Sequence, residues 1–523
     1  MAPPMTTSLA ARRTLPRPAN IAPDRRTRLT VSVLVGLSCA LAIPTCVAHG
    51  FGQRYDLPLP LWLWVVGAGA TVLLSFVVAA LHLRRRDGAR ELWTTRPHNG
   101  LIVRIVLTLI QATGAVLFVV VIAAGWFGNS DPYRNIAPTA VWIIWWVGIA
   151  YVSALVGDVW QWANPLRTLA LVAERLSAAL GLPHRSLGWR YRFSYWPAVV
   201  IMLAFAGTEF IWEGGDEPAN IATLVFGYSV FSWLGMWCYG REVWLREAEA
   251  FSVVFSLLAR FAPLAPSEPQ DRADLPDGGE HERTSTGIVL RVPGTGLLKD
   301  YPVAFAQCVL VFVLLTSVSF DGFLETPLWL EGSDRLMSIE MLQPFWDYVE
   351  GHTDSLAILS FLTLIVTVAA FVAVTWLVCA MMSRLAHWAG APLVRTHIIF
   401  TSFVLTLIPI SVAYHLAHYI SLLAVSGQYI IPLLSDPFGF GWDLFGTADY
   451  KVDIGVLSVK VVWYTAAATI VIGHVIAVYV AHFMAIALFG DERAAVWSQA
   501  PMMLLMVLYT MLSLWILAQP IVS

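Results

Sequence analysis

The sequence predicts an all-α, polytopic integral membrane bundle of about 10–11 transmembrane helices. Three observations lead there. Of the 523 residues, 58% are hydrophobic and only 13% are charged, about half the charged fraction usual in a soluble domain. Apolar runs of the length a bilayer requires, ~20 residues, recur along the whole chain. The joints between them alternate between Arg-rich and acidic, the pattern of a chain that crosses back and forth.

The first run, 29–48, follows a basic flank and contains Pro44, Cys46 and Ala48 near its end. It reads either as a signal peptide cleaved after Ala48 or as an N-terminal anchor helix. Both readings place His49 outside. Cleavage would make His49 the first residue, where amino group and imidazole together chelate copper. Further runs fall near 61–83, 100–126, 139–160, 193–212, 220–239, 302–320, 355–382, 398–424, 459–486 and 500–519. The joints 84–99, 161–192 and 240–301 are rich in Arg, whereas those around 127–138, 213–219, 321–354 and 425–458 are acidic or nearly free of positive charge. The basic set is therefore assigned to the cytoplasm and the acidic set to the outer side.

Within the basic joints, 164–182 and 241–261 set Arg and Glu against Leu, Val and Phe at helical spacing. That is the pattern of amphipathic helices lying on a lipid surface. Residues 262–300, rich in Pro, Gly and acid, read as a flexible cytoplasmic loop. The loop divides a front group of about five spans, 49–261, from a rear group of about five, 301–523. None of the five cysteines has zinc-finger or CxxC spacing, so no disulfide framework or thiolate metal site is indicated. The basic residues are explained by topology, which leaves the lipid bilayer and a small molecule, and no nucleic acid, as expected partners.

Ionisable residues inside spans are costly and mark function. In YHLAHY, residues 414–419, His415 and His418 are three apart and share one helix face. Pro409 removes a backbone hydrogen bond shortly before them and opens room beside that face. In GHVIAVYVAH, His474 and His482 are eight apart on one broad side. At ~1.5 Å per residue, His415 and His418 fall in the outer half of the membrane and His474 near its middle. The three converge if the two spans pack together, with Glu209 at a similar depth. Asp158 falls near the cytoplasmic end, where an Arg of the adjoining joint is its expected partner. Three imidazoles and a carboxylate suit zinc or copper, and zinc with an open position generates hydroxide near neutral pH. The same imidazoles also suit axial ligation of haem b, with His397 and His482 as a second layer. Helix-packing hydrogen bonds are the plain structural alternative.

The segments AHGFGQRYDLPLPLWLW, LVGDVWQWANPLRTL, SDPFGFGWDLFGTADYKVDIG and GHVIAVYVAH resemble a bacterial family of polytopic membrane proteins known as fenitrothion hydrolase, from about His49 to the end of the chain. The resemblance implies hydrolysis of organophosphorus esters and supplies no catalytic residues to carry over. In a hydrolase, metal-bound hydroxide held by His415, His418, His474 and His49 would attack phosphorus, with Glu209 or Asp453 as general base. An apolar ester would enter from the lipid. A transporter or copper-handling permease and a haem-bearing redox subunit are the alternative expectations. The loop SDPFGFGWDLFGTADYKVD joins the two histidine-bearing spans, so it lies over the outer opening of any site between them. Asp436 and Asp449 read as turn formers there. Phe438, Phe440, Trp442 and Phe445 read as membrane-interface aromatics.

Overall fold

The computed structural model describes residues 59–82, 91–94, 101–182, 187–188, 190–266, 288–299 and 301–522. The 1–48 segment and His49 lie outside the described residues. The protein is a polytopic, all-α membrane bundle, and nine of its described helices are long and apolar enough to cross a bilayer. These are α1 (Leu61–His82), α2 (Leu101–Phe127), α3 (Ile136–Leu155), α6 (Pro218–Tyr239), α9 (Phe305–Leu324), α12 (Ser355–Trp388), α13 (Thr396–Ser435), α14 (Val459–Phe489) and α15 (Glu492–Val522). The run expected at 193–212 forms a shorter helix, α5 (Trp196–Phe210), of 15 residues. At ~1.5 Å per residue it falls short of the ~30 Å hydrocarbon core. The amphipathic segment at 164–182 is α4 (Pro165–Ala179), whose first turn is capped by Asn164 Oδ1 accepting from Leu166 and Arg167 N–H.

α13 lies at the centre, packed most extensively on α14 and also against α3 and α9. Its course shows why Pro409 matters. Proline offers no N–H and crowds the carbonyl four residues earlier, and the helix tightens into a 3-10 turn at Val404–Leu407 before resuming at Ile408. The close approach of α14 depends on Gly473: a Cβ there would collide with Ala413 and lie 2.8 Å from the Pro409 carbonyl. Peripheral helices are apolar outward instead, with Leu109, Val116 and Val119 of α2 exposed, as lipid contact allows.

Three expectations are corrected. The 241–261 segment is not one surface helix. It breaks into α7 (Arg241–Glu247), tied to α4 by the Arg241–Glu174 ion pair, and α8 (Ala250–Ala259). Eight of the ten α8 residues are buried, because α8 is apolar on every side and packs among α3, α5 and α13. Both of its ends are satisfied by charge. Glu249 accepts from Phe251 and Ser252 N–H at the start, and Arg291 donates to the Ala259 and Ala262 carbonyls at the finish, which offsets the unpaired ends of a helix. Secondly, 262–300 is not wholly loop. β1 (Glu91–Thr94), β2 (Leu264–Pro266) and β3 (Ile288–Arg291) form an antiparallel sheet in the order β1-β3-β2. The sheet joins two of the Arg-rich joints, so these share one side of the bundle, as their charge predicts. Thirdly, Asp158 has no ion-pair partner among the described residues; its Oδ1 accepts from Gln161 N–H at 3.2 Å.

At the other end, α10 (Pro327–Met337) and α11 (Gln343–Glu350) follow α9. The 436–456 loop docks on the segment before α3, with Asn129 and Ile136 N–H donating to the Phe438 and Pro437 carbonyls. Asp436 makes the turn expected of it by accepting from Phe440 and Gly441 N–H. Phe438, Phe440 and Trp442 pack ring to ring at 5.4–5.5 Å.

Candidate functional site

Two polar side chains of YHLAHY reach different carboxylates. Tyr419 OH donates to Glu209 Oε1 at 2.7 Å, and Trp146 Nε1 donates to the same oxygen at 2.8 Å. His418 Nε2 lies 2.7 Å from Asp321 Oδ2. The His418 and Tyr419 rings are 4.7 Å apart, and Asp321 is close enough to Glu209, Tyr414 and Tyr419 to act on each electrostatically. Four helices thus bring two carboxylates, an imidazole, a phenol and the Trp146 indole into one cluster.

Local structure explains each placement. Residues Thr139–Gly148 of α3 wind as a π-helix, a rare form frequent at functional sites. Trp142 and Trp146 of this stretch both donate toward the end of α5, to Gly215 O at 3.0 Å and to Glu209. Glu209 is the penultimate residue of α5, and Asp321 lies three residues before the end of α9. Both helices set out from the Arg-rich side, so the cluster sits toward the opposite end of the bundle. His418 and Asp321 retain 18% and 21% of their side-chain exposure, which leaves the pair reachable, whereas His415 is buried.

His415 packs edge-on to Trp146, Tyr151 and Tyr419, at centroid distances of 5.7, 5.7 and 4.7 Å. Its Nε2 has no protein partner, and it borders a void of about 10 Å³ beside Tyr151, Leu258 and Val412, room for about one water. Tyr151 OH donates to the Leu416 carbonyl at 2.8 Å and pins α3 to α13.

His474 is placed elsewhere. Its Nδ1 is 2.8 Å from the Ile470 carbonyl, which fixes the proton on that nitrogen, and its ring neighbour is Tyr509 at 6.0 Å. His482 Nδ1 meets the Gln499 amide at 3.2 Å, and His397 lies against Trp376. Asp453 is exposed in the 436–456 loop, where its carboxylate accepts from Gly455 N–H at 2.8 Å. The structure therefore unites Glu209 with His418 and His415 but does not bring His474 or Asp453 to them. Among the described residues no three His, Cys, Asp or Glu side chains are grouped to hold a metal ion. Among the described residues His474 does not join His415 and His418 in one donor set.

Asp321 is the residue that sequence reasoning missed. It follows immediately on the apolar run ending at 320 and reads as the start of an acidic joint, although α9 continues to Leu324. Trp146 and Tyr151 were hidden as apolar members of a span.

No described protein family, no curated protein and no solved structure matches this chain.

Proposed function

We propose that the chain is a multi-pass membrane permease that couples passage of a small solute or cation to proton binding at Glu209 and at the Asp321–His418 pair. The observation that carries this reading is the four-helix cluster itself. Carboxylates and imidazoles joined at membrane depth are the usual material of proton relays and ion paths. With Nε2–H already donating to the Asp321 carboxylate, a proton taken up by the pair enters on His418 Nδ1; a proton on Glu209 takes the charge from the acceptor shared by Tyr419 and Trp146 and weakens both hydrogen bonds. Each protonation alters the hydrogen bonds that tie α13 to α9, α5 and α3. Helix interruptions next to the cluster support the same reading, since transporter sites are built from discontinuous helices. The 3-10 turn of α13 lies in the rear group, and the π-helical α3 and short α8 lie in the front group.

A second reading keeps the organophosphorus hydrolase that the family resemblance implies. The His418–Asp321 pair favours it, because an imidazole oriented by a carboxylate is a common general base.

The test uses the full chain in lipid vesicles. Infrared difference spectra taken on acidification should show a carboxyl band that is lost in Glu209→Gln and another lost in Asp321→Asn. Zinc or copper(II) salts serve as cation probes, with proton release followed by a trapped dye, and fenitrothion serves as the ester probe. Spectra with no carboxyl change from either residue overturn the permease reading. Ester turnover abolished in His418→Ala, without any proton response, selects the hydrolase.

A further inference from the structure

The meeting point of α9, α13, α14 and α15 holds a second polar cluster with a different character. It contains hydroxyls and one imidazole and no formal charge. Ser319 Oγ and Tyr509 OH are 2.8 Å apart, linking α9 to α15. Around them His474 Nε2, Tyr414 OH and Ser513 Oγ are buried and have no protein hydrogen-bond partner, and each of the three residues is more than nine-tenths buried. Tyr414 and Ser513 sit beside Ser319 and Tyr509 without reaching hydrogen-bonding geometry. Three such atoms in one place are unusual, since buried polar groups are nearly always satisfied by protein or by ordered water. His474 is the most telling. Its Nδ1–H is committed to the Ile470 carbonyl, so Nε2 carries a bare lone pair inside the bundle.

We infer that this junction is a hydrated site, in which bound water bridges His474 Nε2 to Tyr414 and to the Ser319–Tyr509 pair. Buried waters make about three hydrogen bonds each to groups of this kind, and hydroxyls that donate or accept suit them. Resting on the permease reading, the site also extends the proton path. Asp321 lies near Tyr414, so a proton leaving the Asp321–His418 pair passes through bound water and the Tyr414 hydroxyl to His474 Nε2. The imidazole becomes an imidazolium that still donates from Nδ1 to Ile470, and Asp321 remains as carboxylate.

Radiolytic hydroxyl footprinting of the full chain in vesicles, in isotopically labelled water, tests the site without any substitution. Tyr414, at 1% exposure, should be oxidised several-fold faster than Phe400 and Phe403, which are at 0% in apolar surroundings, and Tyr509 should follow Tyr414. In His474→Phe, labelling of Tyr414 and Tyr509 should fall together while that of Phe400 stays low. Labelling of the tyrosines no faster than of the two phenylalanines overturns the hydrated site, whatever Glu209 does on acidification. Labelling with a full carboxyl response that is unchanged in His474→Phe overturns its place in the proton path. The loss of that response in the unaltered chain would instead count against the permease reading alone.

Discussion

Tyr419 and Glu209, 210 residues apart in sequence, are joined by a 2.7 Å hydrogen bond across the interface of α13 and α5. The same carboxylate oxygen also accepts from Trp146, so one atom ties three helices together. Removing the acceptor leaves two donors with no partner where water is scarce. Glu209→Ala is therefore expected to destabilise the bundle by about 1–3 kcal/mol for each donor left unpaired. Glu209→Gln keeps a carbonyl acceptor and should stay close to the parent chain. Thermal unfolding in detergent, followed by Trp fluorescence, separates the two; equal losses in both variants would contradict this account.

How much of this was legible in the sequence differs by element. The spans were, because a ~20-residue apolar run has few alternatives. Pro409 marked the interruption of α13, and Glu209 and YHLAHY marked members of the cluster. The π-winding of α3 carries no residue signature, so the alignment of Trp142 and Trp146 toward α5 was invisible. Asp321 was lost because hydropathy ends a span at a charge, whereas a charge paired with a histidine 97 residues away is compatible with one. The sheet was lost because strands of three and four residues are held by pairing between distant joints and have no periodicity of their own. In 241–261 the charges gather before Ala250, and averaging them over the whole segment disguised α8 as amphipathic.

Packing between α13 and α14 gives a second expectation. Gly473 faces Ala413 and the Pro409 carbonyl with no room for a methyl group, whereas Gly227 of α6 has open space around its missing Cβ. Gly473→Ala should destabilise by about 1–3 kcal/mol, the range for overpacking a tight contact. Gly227→Ala should be neutral or stabilise by up to ~1 kcal/mol, the helix-propensity gain of Ala over Gly. Melting temperatures of the two variants, measured side by side, check both signs.

Asp158, just beyond the end of α3, supplies a pH dependence. Burial pushes its carboxyl up from 3.8 to about 6, with the Gln161 N–H acting in the opposite sense. The folded chain then holds a proton that the unfolded chain has already released. The contribution to stability is complete below about 3.8 and is lost as pH rises through about 6. Asp158→Asn keeps the acceptor for Gln161 and removes the titration. The variant should flatten the stability profile across that interval and melt higher at neutral pH. A profile as steep as the parent's would assign the slope to another group.

The histidines provide the most discriminating measurement. If His415, His418 and His474 bound one metal, any two losses would overlap, because a broken site cannot be broken twice. Here His418 meets Asp321 and His474 meets Tyr509, while His415, packed on Trp146 and Tyr151, shares only the Tyr419 ring with His418. Double-mutant cycles should therefore find His418→Ala and Asp321→Asn coupled by about 0.5–3 kcal/mol, as expected for residues in direct contact. His418→Ala and His474→Ala should add within about 0.5 kcal/mol, as substitutions at sites without shared partners do. Metal content of the gently purified protein, determined on the same samples, completes the comparison. Strong coupling between His418 and His474, with bound metal lost in either variant, would show the imidazoles acting on one ion and would displace the carboxylate–imidazole pair as the centre of the site.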